Sequence, residues 1–135
     1  MPISDPKPLL GLPEIDEQHA YLYKLFDAIE HSSTVADHAA TKALLCEIEG
    51  YLLFHFDSEE LLMRHYHFPH FSMHQSDHEA GAARYVRFMD DFDNNRLNPG
   101  ALRIFLTGWL MEHTASCDSE YAAWVKKCRA AIQGV

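Results

Sequence analysis

The sequence predicts an all-α protein: an antiparallel up-down-up-down four-helix bundle with an N-terminal arm and a short C-terminal helix. Three observations predict it. Apolar residues and histidines recur in alternating steps of three and four along four long segments, the pattern of a helix face turned to a bundle seam. The segments are separated by short stretches of turn and cap residues, and short connections make consecutive helices antiparallel neighbours. At 135 residues, 47% of them apolar, the chain is long enough to bury one sizeable core without a disulfide or other staple. One domain over 1–135 is expected, with the arm at about 1–13, the bundle at about 14–118 and the terminal helix at about 119–132.

The arm, MPISDPKPLLGLPE, is spaced by prolines. The first helix follows from about 15 to 31, marked by Ile15, His19, Leu22, Phe26 and Ile29. SSTVAD (32–37) supplies turn and N-cap residues, and Leu45, Ile48, Leu52, His55, Glu59 and Leu62 carry the second helix to an end near His65 to His67. Pro69 disfavours helical geometry at Phe68. A third series then starts with Phe71, His74, His78, Gly81, Tyr85, Phe88 and Phe92, and ends near Asn94 and Asn95. Asn98 followed by Pro99 has the form of an N-cap with proline at the first helical position, and Leu102, Leu106, Trp109 and His113 continue the seam. The last segment, with Tyr121, Trp124, Val125, Cys128 and Ile132 on one side, predicts a short helix packed across the bundle.

Composition excludes several classes of function. The net charge is -9 with histidines neutral, and no predicted face clusters lysine and arginine, which argues against nucleic acid and anionic membranes as partners. The three cysteines, Cys46, Cys117 and Cys128, have no framework spacing and no CxxC pair, so they are expected to be reduced. The prolines of the arm replace the apolar core a signal peptide needs, and no run approaches the roughly 18 apolar residues of a membrane span. A cytoplasmic protein is expected.

Ten histidines are the outlier. In alternating helices, His19 near the start of the first, His55 and Glu59 near the end of the second, His74 and His78 near the start of the third, and His113 near the end of the fourth all fall at one end of the bundle. HFDSE (55–59) and HQSDH (74–78) each set two donors one turn apart on one face. HTASCD (113–118) is an i to i+5 step, which a regular helix would rotate by about 140°. Asp118 therefore needs a π-type turn or a helix end. The end is the expectation here, because Ser116 to Ser119 is poor in helix formers.

Imidazole with carboxylate and no thiolate suits iron, manganese or zinc. Seven donors are too many for one metal, or for a closed four-ligand zinc site. Two six-coordinate sites bridged by both carboxylates and one solvent-derived oxide or hydroxide use five histidines as three plus two, which leaves one position open. Leu22, Leu52, Trp109 and Leu110 should face that position from their helical spacing, with Phe56 adjacent. None of these is an acid, base or nucleophile, so a small diatomic ligand fits better than a polar organic substrate.

These motifs together, IDEQH with His19, HFDSE with His55 and Glu59, HQSDH with His74 and His78, and WLMEHTASCD with His113 and Asp118 followed by Tyr121, resemble the hemerythrin family in its single-domain bacterial form, from about Leu12 to Trp124. The resemblance implies a non-heme di-iron protein that binds dioxygen reversibly for storage, delivery or sensing, rather than an enzyme. It assigns His74, His78 and His113 to one iron and His19 and His55 to the other, with Glu59 and Asp118 bridging an oxo- or hydroxo-bridged pair. It also marks Trp109 and Leu110 as lining the oxygen pocket and Tyr121 as a neighbour of the bridging aspartate. The alternative is a di-iron enzyme acting on nitric oxide, peroxide or ferrous iron; nitric oxide or another small anion would occupy the same open position. Three features depart from the pattern: the tryptophan often found in the arm is missing, Thr114 replaces an apolar residue, and Cys117 stands beside Asp118, most simply as a buried inert thiol. His31, His38, His65 and His67 are expected to be solvated, and His70 to be a cap or outer residue. Asp16 and Gln18 are candidates to support the ligands, although Asp16 is more simply a first-turn charge.

Overall fold

The computed structural model describes residues 7–134 apart from 35 and 36; the side chains of 32–34 lie outside the description as well. The first six residues of the arm and positions 35 and 36 of the expected turn therefore fall outside it, whereas 32–34, also expected in that turn, continue the first helix. The order is α1 (Pro13–Thr34), α2 (His38–His65), α3 (Phe71–Asp93), α4 (Pro99–His113), a π-helical segment (Thr114–Asp118) and α5 (Ser119–Gln133). No strand occurs among the described residues. α1 packs on α2 and α4, α2 on α3, and α3 on α4, which closes the four-helix bundle.

Local chemistry sets the helix limits. Asp37 and Asn98 are N-caps whose carboxylate and amide oxygens accept the N–H groups of Ala40 and Ala101, and Pro99 opens α4. α1 begins at Pro13, two residues before the sequence-based start. Asp16 holds the arm rather than the donor layer, since its two oxygens accept the backbone N–H groups of Leu10 and Gly11 at 2.8 and 3.0 Å. Gly11 takes the positive φ of 79° that this turn requires.

The main difference from the sequence reading lies after His113. The helix does not end there; it continues through the π segment, where the N–H of Ser119 bonds to the carbonyl of Thr114, and runs on into α5. One residue more per turn is accommodated without breaking the axis. On α5, Tyr121, Ala122 and Val125 are buried, whereas Ile132 is exposed instead of packing.

Two apolar clusters result. The larger joins Leu22, Phe26, Leu45, Leu52, Leu106 and Leu110 with neighbours inside the bundle. The smaller joins Leu10, Leu12, Ile15, Met63, Phe68, Tyr121 and Val125, so the arm, the α2–α3 turn and α5 cover one end. Trp124 ties that cover down, its indole N–H donating to the Tyr66 carbonyl at 2.7 Å. Along α1 the clusters lie on either side of His19, and along α2 on either side of His55 and Glu59. The donor residues thus form a polar layer between two apolar ones, the arrangement that keeps bulk water out.

Candidate metal centre

His19, His55, Glu59, His74, His78, His113 and Asp118 are all buried, and their donor atoms converge in two groups. Glu59, His74, His78, His113 and Asp118 make one; His19, His55, Glu59 and Asp118 make the other. Each carboxylate turns one oxygen to each group. Glu59 Oε1 lies 2.9 Å from His78 Nε2 and 3.3 Å from His74 Nε2, while Oε2 lies 3.3 Å from His55 Nε2 and 3.5 Å from His19 Nε2. Asp118 Oδ1 lies 2.9 and 3.0 Å from the Nε2 atoms of His74 and His113, and Oδ2 is 3.4 Å from that of His19. The π segment makes this possible: at about 4.4 residues per turn, an i to i+5 step brings Asp118 back under His113.

These contacts are not those of a hydrogen-bonded core. Both oxygens of Asp118 lack a hydrogen-bond partner, although imidazole nitrogens lie within 3.0 Å of Oδ1; the atoms are close but not aligned as donor and acceptor. Nitrogens also face nitrogens. The Nε2 atoms of His74 and His113 are 3.0 Å apart, those of His78 and His113 3.1 Å, and those of His19 and His55 3.0 Å. Adjacent donors of an octahedral ion, each about 2.1 Å from it, stand about 3 Å from one another. The residues present fit a metal.

The outward nitrogens support the same reading. The Nδ1–H groups of three rings donate to the protein: His55 to Gln18 Oε1 at 2.7 Å, His78 to Glu60 Oε2 at 2.9 Å, and His113 to Asp77 Oδ2. Gln18 is oriented by its own amide, which donates to Ser58 Oγ, and that hydroxyl donates to the carbonyl of Phe54. Protons on Nδ1 leave the neutral rings with Nε2 lone pairs facing inward, as metal ligation requires. Gln18 was a sequence-based candidate; Glu60 and Asp77 were not. Both stand next to a donor in sequence, Glu60 after Glu59 and Asp77 before His78, and acidic residues at the edge of a donor stripe were the available signal.

Charge in the layer is unbalanced without a cation. Burial pulls His19 and His113 toward the neutral form, but the negatively charged oxygens of Asp118 and Glu59 close by outweigh it and raise them to about 9 and about 11. Burial and the charge of Glu59 push Asp118 up, yet the surrounding histidines bring it down to about 2. Glu59 is likewise held well below the usual carboxylate range, the histidines outweighing its burial. Two buried carboxylates demand positive charge, from protons or from metal ions.

The other singled-out residues fall as follows. Leu22, Leu52, Phe56 and Leu110 are buried in the larger cluster with Trp109 packed against it. Phe56 stacks on His78 at 4.1 Å between ring centroids, and Trp109 on His113 at 4.7 Å. Tyr121 donates its hydroxyl to Glu59 Oε2 at 3.2 Å. Burial, followed by the charges of Glu59 and Asp118, keeps this phenol protonated. Thr114 is fully buried, with its hydroxyl donated to the Leu110 carbonyl at 2.6 Å. Cys117 is half-buried, 3.8 Å from Asp77, and it lines a surface cavity of about 320 Å³ with Asp77, Trp109 and His113. It is thus half-buried where a buried thiol was expected. His31, His38, His65, His67 and His70 are exposed.

A five-histidine, two-carboxylate layer inside a four-helix bundle is a site that could hold metal ions, and comparison with known proteins points the same way. Residues 10–125 match the family model of the hemerythrin HHE cation binding domain, and the chain belongs to the hemerythrin family. It is 28% identical over 117 residues to a bacteriohemerythrin of Stenotrophomonas maltophilia, covering 87% of this chain and 76% of that protein. A bacteriohemerythrin of Aquifex aeolicus is 28% identical over 111 residues, 79% of this chain and 81% of that one. A wild-type hemerythrin crystal structure superposes with a TM-score of 0.80 at 19% identity, covering 93% of this chain and 97% of the other, a likeness of fold. No helix among the described residues is long and apolar enough to cross a membrane.

Proposed function

We propose that the chain holds two iron ions and binds dioxygen reversibly at one of them. His74, His78 and His113 hold the first iron, His19 and His55 the second, and Glu59 and Asp118 bridge. The observation that carries this reading is the division of both carboxylates between the two donor groups, one oxygen to each. Bound iron supplies the electrons that a diatomic ligand takes up. The chain supplies a two-histidine position one ligand short of the other, and walls of Leu22, Leu52, Phe56, Trp109 and Leu110 that carry no acid, base or nucleophile. The phenol of Tyr121, kept protonated beside Glu59, holds that carboxylate in the layer.

An optical cycle tests the reading. Reduced protein is expected to be nearly colourless, to turn pink in air and to lose the colour under argon. Irreversible bleaching on first exposure would instead favour a redox enzyme acting on nitric oxide, peroxide or ferrous iron, and two zinc ions per chain in native protein would exclude both. Glu59→Ala removes a ligand common to both positions and is expected to abolish binding of two irons; two irons with an unchanged spectrum would contradict it.

A further inference from the structure

We infer that Glu60 and Asp77 are positioning residues that make the two metal positions unequal, so that the His74–His78–His113 position takes the first divalent cation and the His19–His55 position the second. This rests on the two-metal reading above. On the three-histidine side, two of the three rings are backed by carboxylates: His78 by Glu60 and His113 by Asp77. Glu60 is itself fixed by the Gln75 amide, which donates to its other oxygen at 3.0 Å. On the two-histidine side there is no such anion. His55 is backed by the neutral Gln18 amide, and Nδ1 of His19 has no hydrogen-bond partner.

A carboxylate accepting Nδ1–H does two things. It fixes the ring so that Nε2 stays aimed at the metal, and it enriches the imidazole in electron density, which makes it a stronger donor. An amide oxygen does the first and little of the second. Since Glu59 and Asp118 are shared, the difference between the positions lies in the number of imidazoles and in what stands behind them. Glu60 and Asp77 add to the side that already has the greater number.

Calorimetric titration of metal-free full-length protein with cobalt(II) tests this, with proton NMR followed in parallel. The wild type is expected to take two ions in two resolved steps. The exchangeable Nδ1–H signals of His78 and His113 should shift paramagnetically with the first equivalent, and that of His55 with the second. Asp77→Asn and Glu60→Gln should each weaken the first step by about 10- to 100-fold and leave the second in place. Gln18→Leu should weaken only the second. Gln18→Glu, which keeps the acceptor for the His55 Nδ1–H and gives up the amide donation to Ser58 Oγ, should tighten the second and narrow the gap. Two equal steps, or Asp77→Asn and Gln18→Leu acting on the same step, would overturn the inference while leaving two metals bound. Uptake of fewer than two ions by the wild type would overturn the two-metal reading as well.

Discussion

Gly81→Ala is the substitution in which helix propensity and packing oppose each other most directly. Gly81 lies inside α3, where alanine would ordinarily stabilise by up to about 1 kcal/mol. Its missing Cβ, however, is where the Trp109 ring sits. A Cβ built there would stand 2.6 Å from Trp109 Cζ2 and 2.7 Å from Cε2, about 1 Å inside ordinary carbon–carbon contact. The indole cannot yield freely, because its ring stacks on His113 with an interplanar angle of 9°. Overpacking of this kind costs about 1 to 3 kcal/mol, so the net effect should be destabilisation by up to about 2 kcal/mol, with a loss of metal affinity as His113 is displaced. Urea unfolding of metal-free protein measures the first, and cobalt(II) titration the second. Gly50→Ala is the internal control: nothing stands within 4 Å of its Cβ position, and it should stabilise by about 0.5 to 1 kcal/mol. In a Trp109→Leu background, Gly81→Ala should change sign and stabilise. A stabilised Gly81→Ala in the presence of Trp109, or the same effect in both backgrounds, would refute the reasoning.

Stability of the metal-free protein should depend on pH on both flanks. His19 and His113 have folded values raised from 6.5 to about 9 and about 11, so their contribution is complete below about 6.5 and disappears as pH rises through those values. At about 1.4 kcal/mol per pH unit, His19 alone is worth about 3 kcal/mol. Asp118, lowered from 3.8 to about 2, contributes above about 4 and loses its contribution as pH falls toward 2. Thermal melts from pH 3 to 11 should show the decline from about 6.5 to 11 without metal, steepest below about 9 where both histidines contribute, and little of it with cobalt(II) bound, since the ion replaces the protons; parallel curves would contradict this. The π segment allows a third test, in which Asp118→Ala is combined with Cys117→Asp. This moves the carboxylate to i+4 from His113, a position that faces the Asp77 cavity, and should leave the protein unable to hold two ions. Full stoichiometry would show that the helix can relax to regular α geometry there.

Periodicity made the bundle legible because each seam is long and each boundary carries its own chemistry, as at Asp37, Asn98 and Pro99. Helix direction then placed the donors in one layer without any knowledge of contacts. What periodicity could not supply was the path of the chain after His113. Ser116 to Ser119 has low intrinsic preference for helix, but propensity is a weak prior that packing overrides. Tyr121, Ala122 and Val125 bury themselves against Leu12, Ile15 and Met63, and that cover is reached only if α5 continues from α4. The π segment satisfies both demands, since it turns Asp118 inward and keeps the axis unbroken. Serine hydroxyls help to hold it, with Ser116 donating to the Glu112 carbonyl and Ser119 to that of Ala115.

Glu60 and Asp77 escaped sequence reading for a different physical reason. A metal ligand must sit on the seam, so a 3–4 pattern finds it; a residue that accepts Nδ1–H must sit one position off the seam, where charged side chains are ordinary. Only the packing of one helix edge against the next distinguishes a carboxylate aimed at an imidazole from one in water. Glu60 reaches across from α2 to His78 on α3, and Asp77 from α3 to His113 on α4. Both contacts cross between helices at the level of the donor layer, so each links the aim of a ligand to the packing of two helices. Binding of metal and closure of that end of the bundle are therefore expected to be coupled, each strengthening the other.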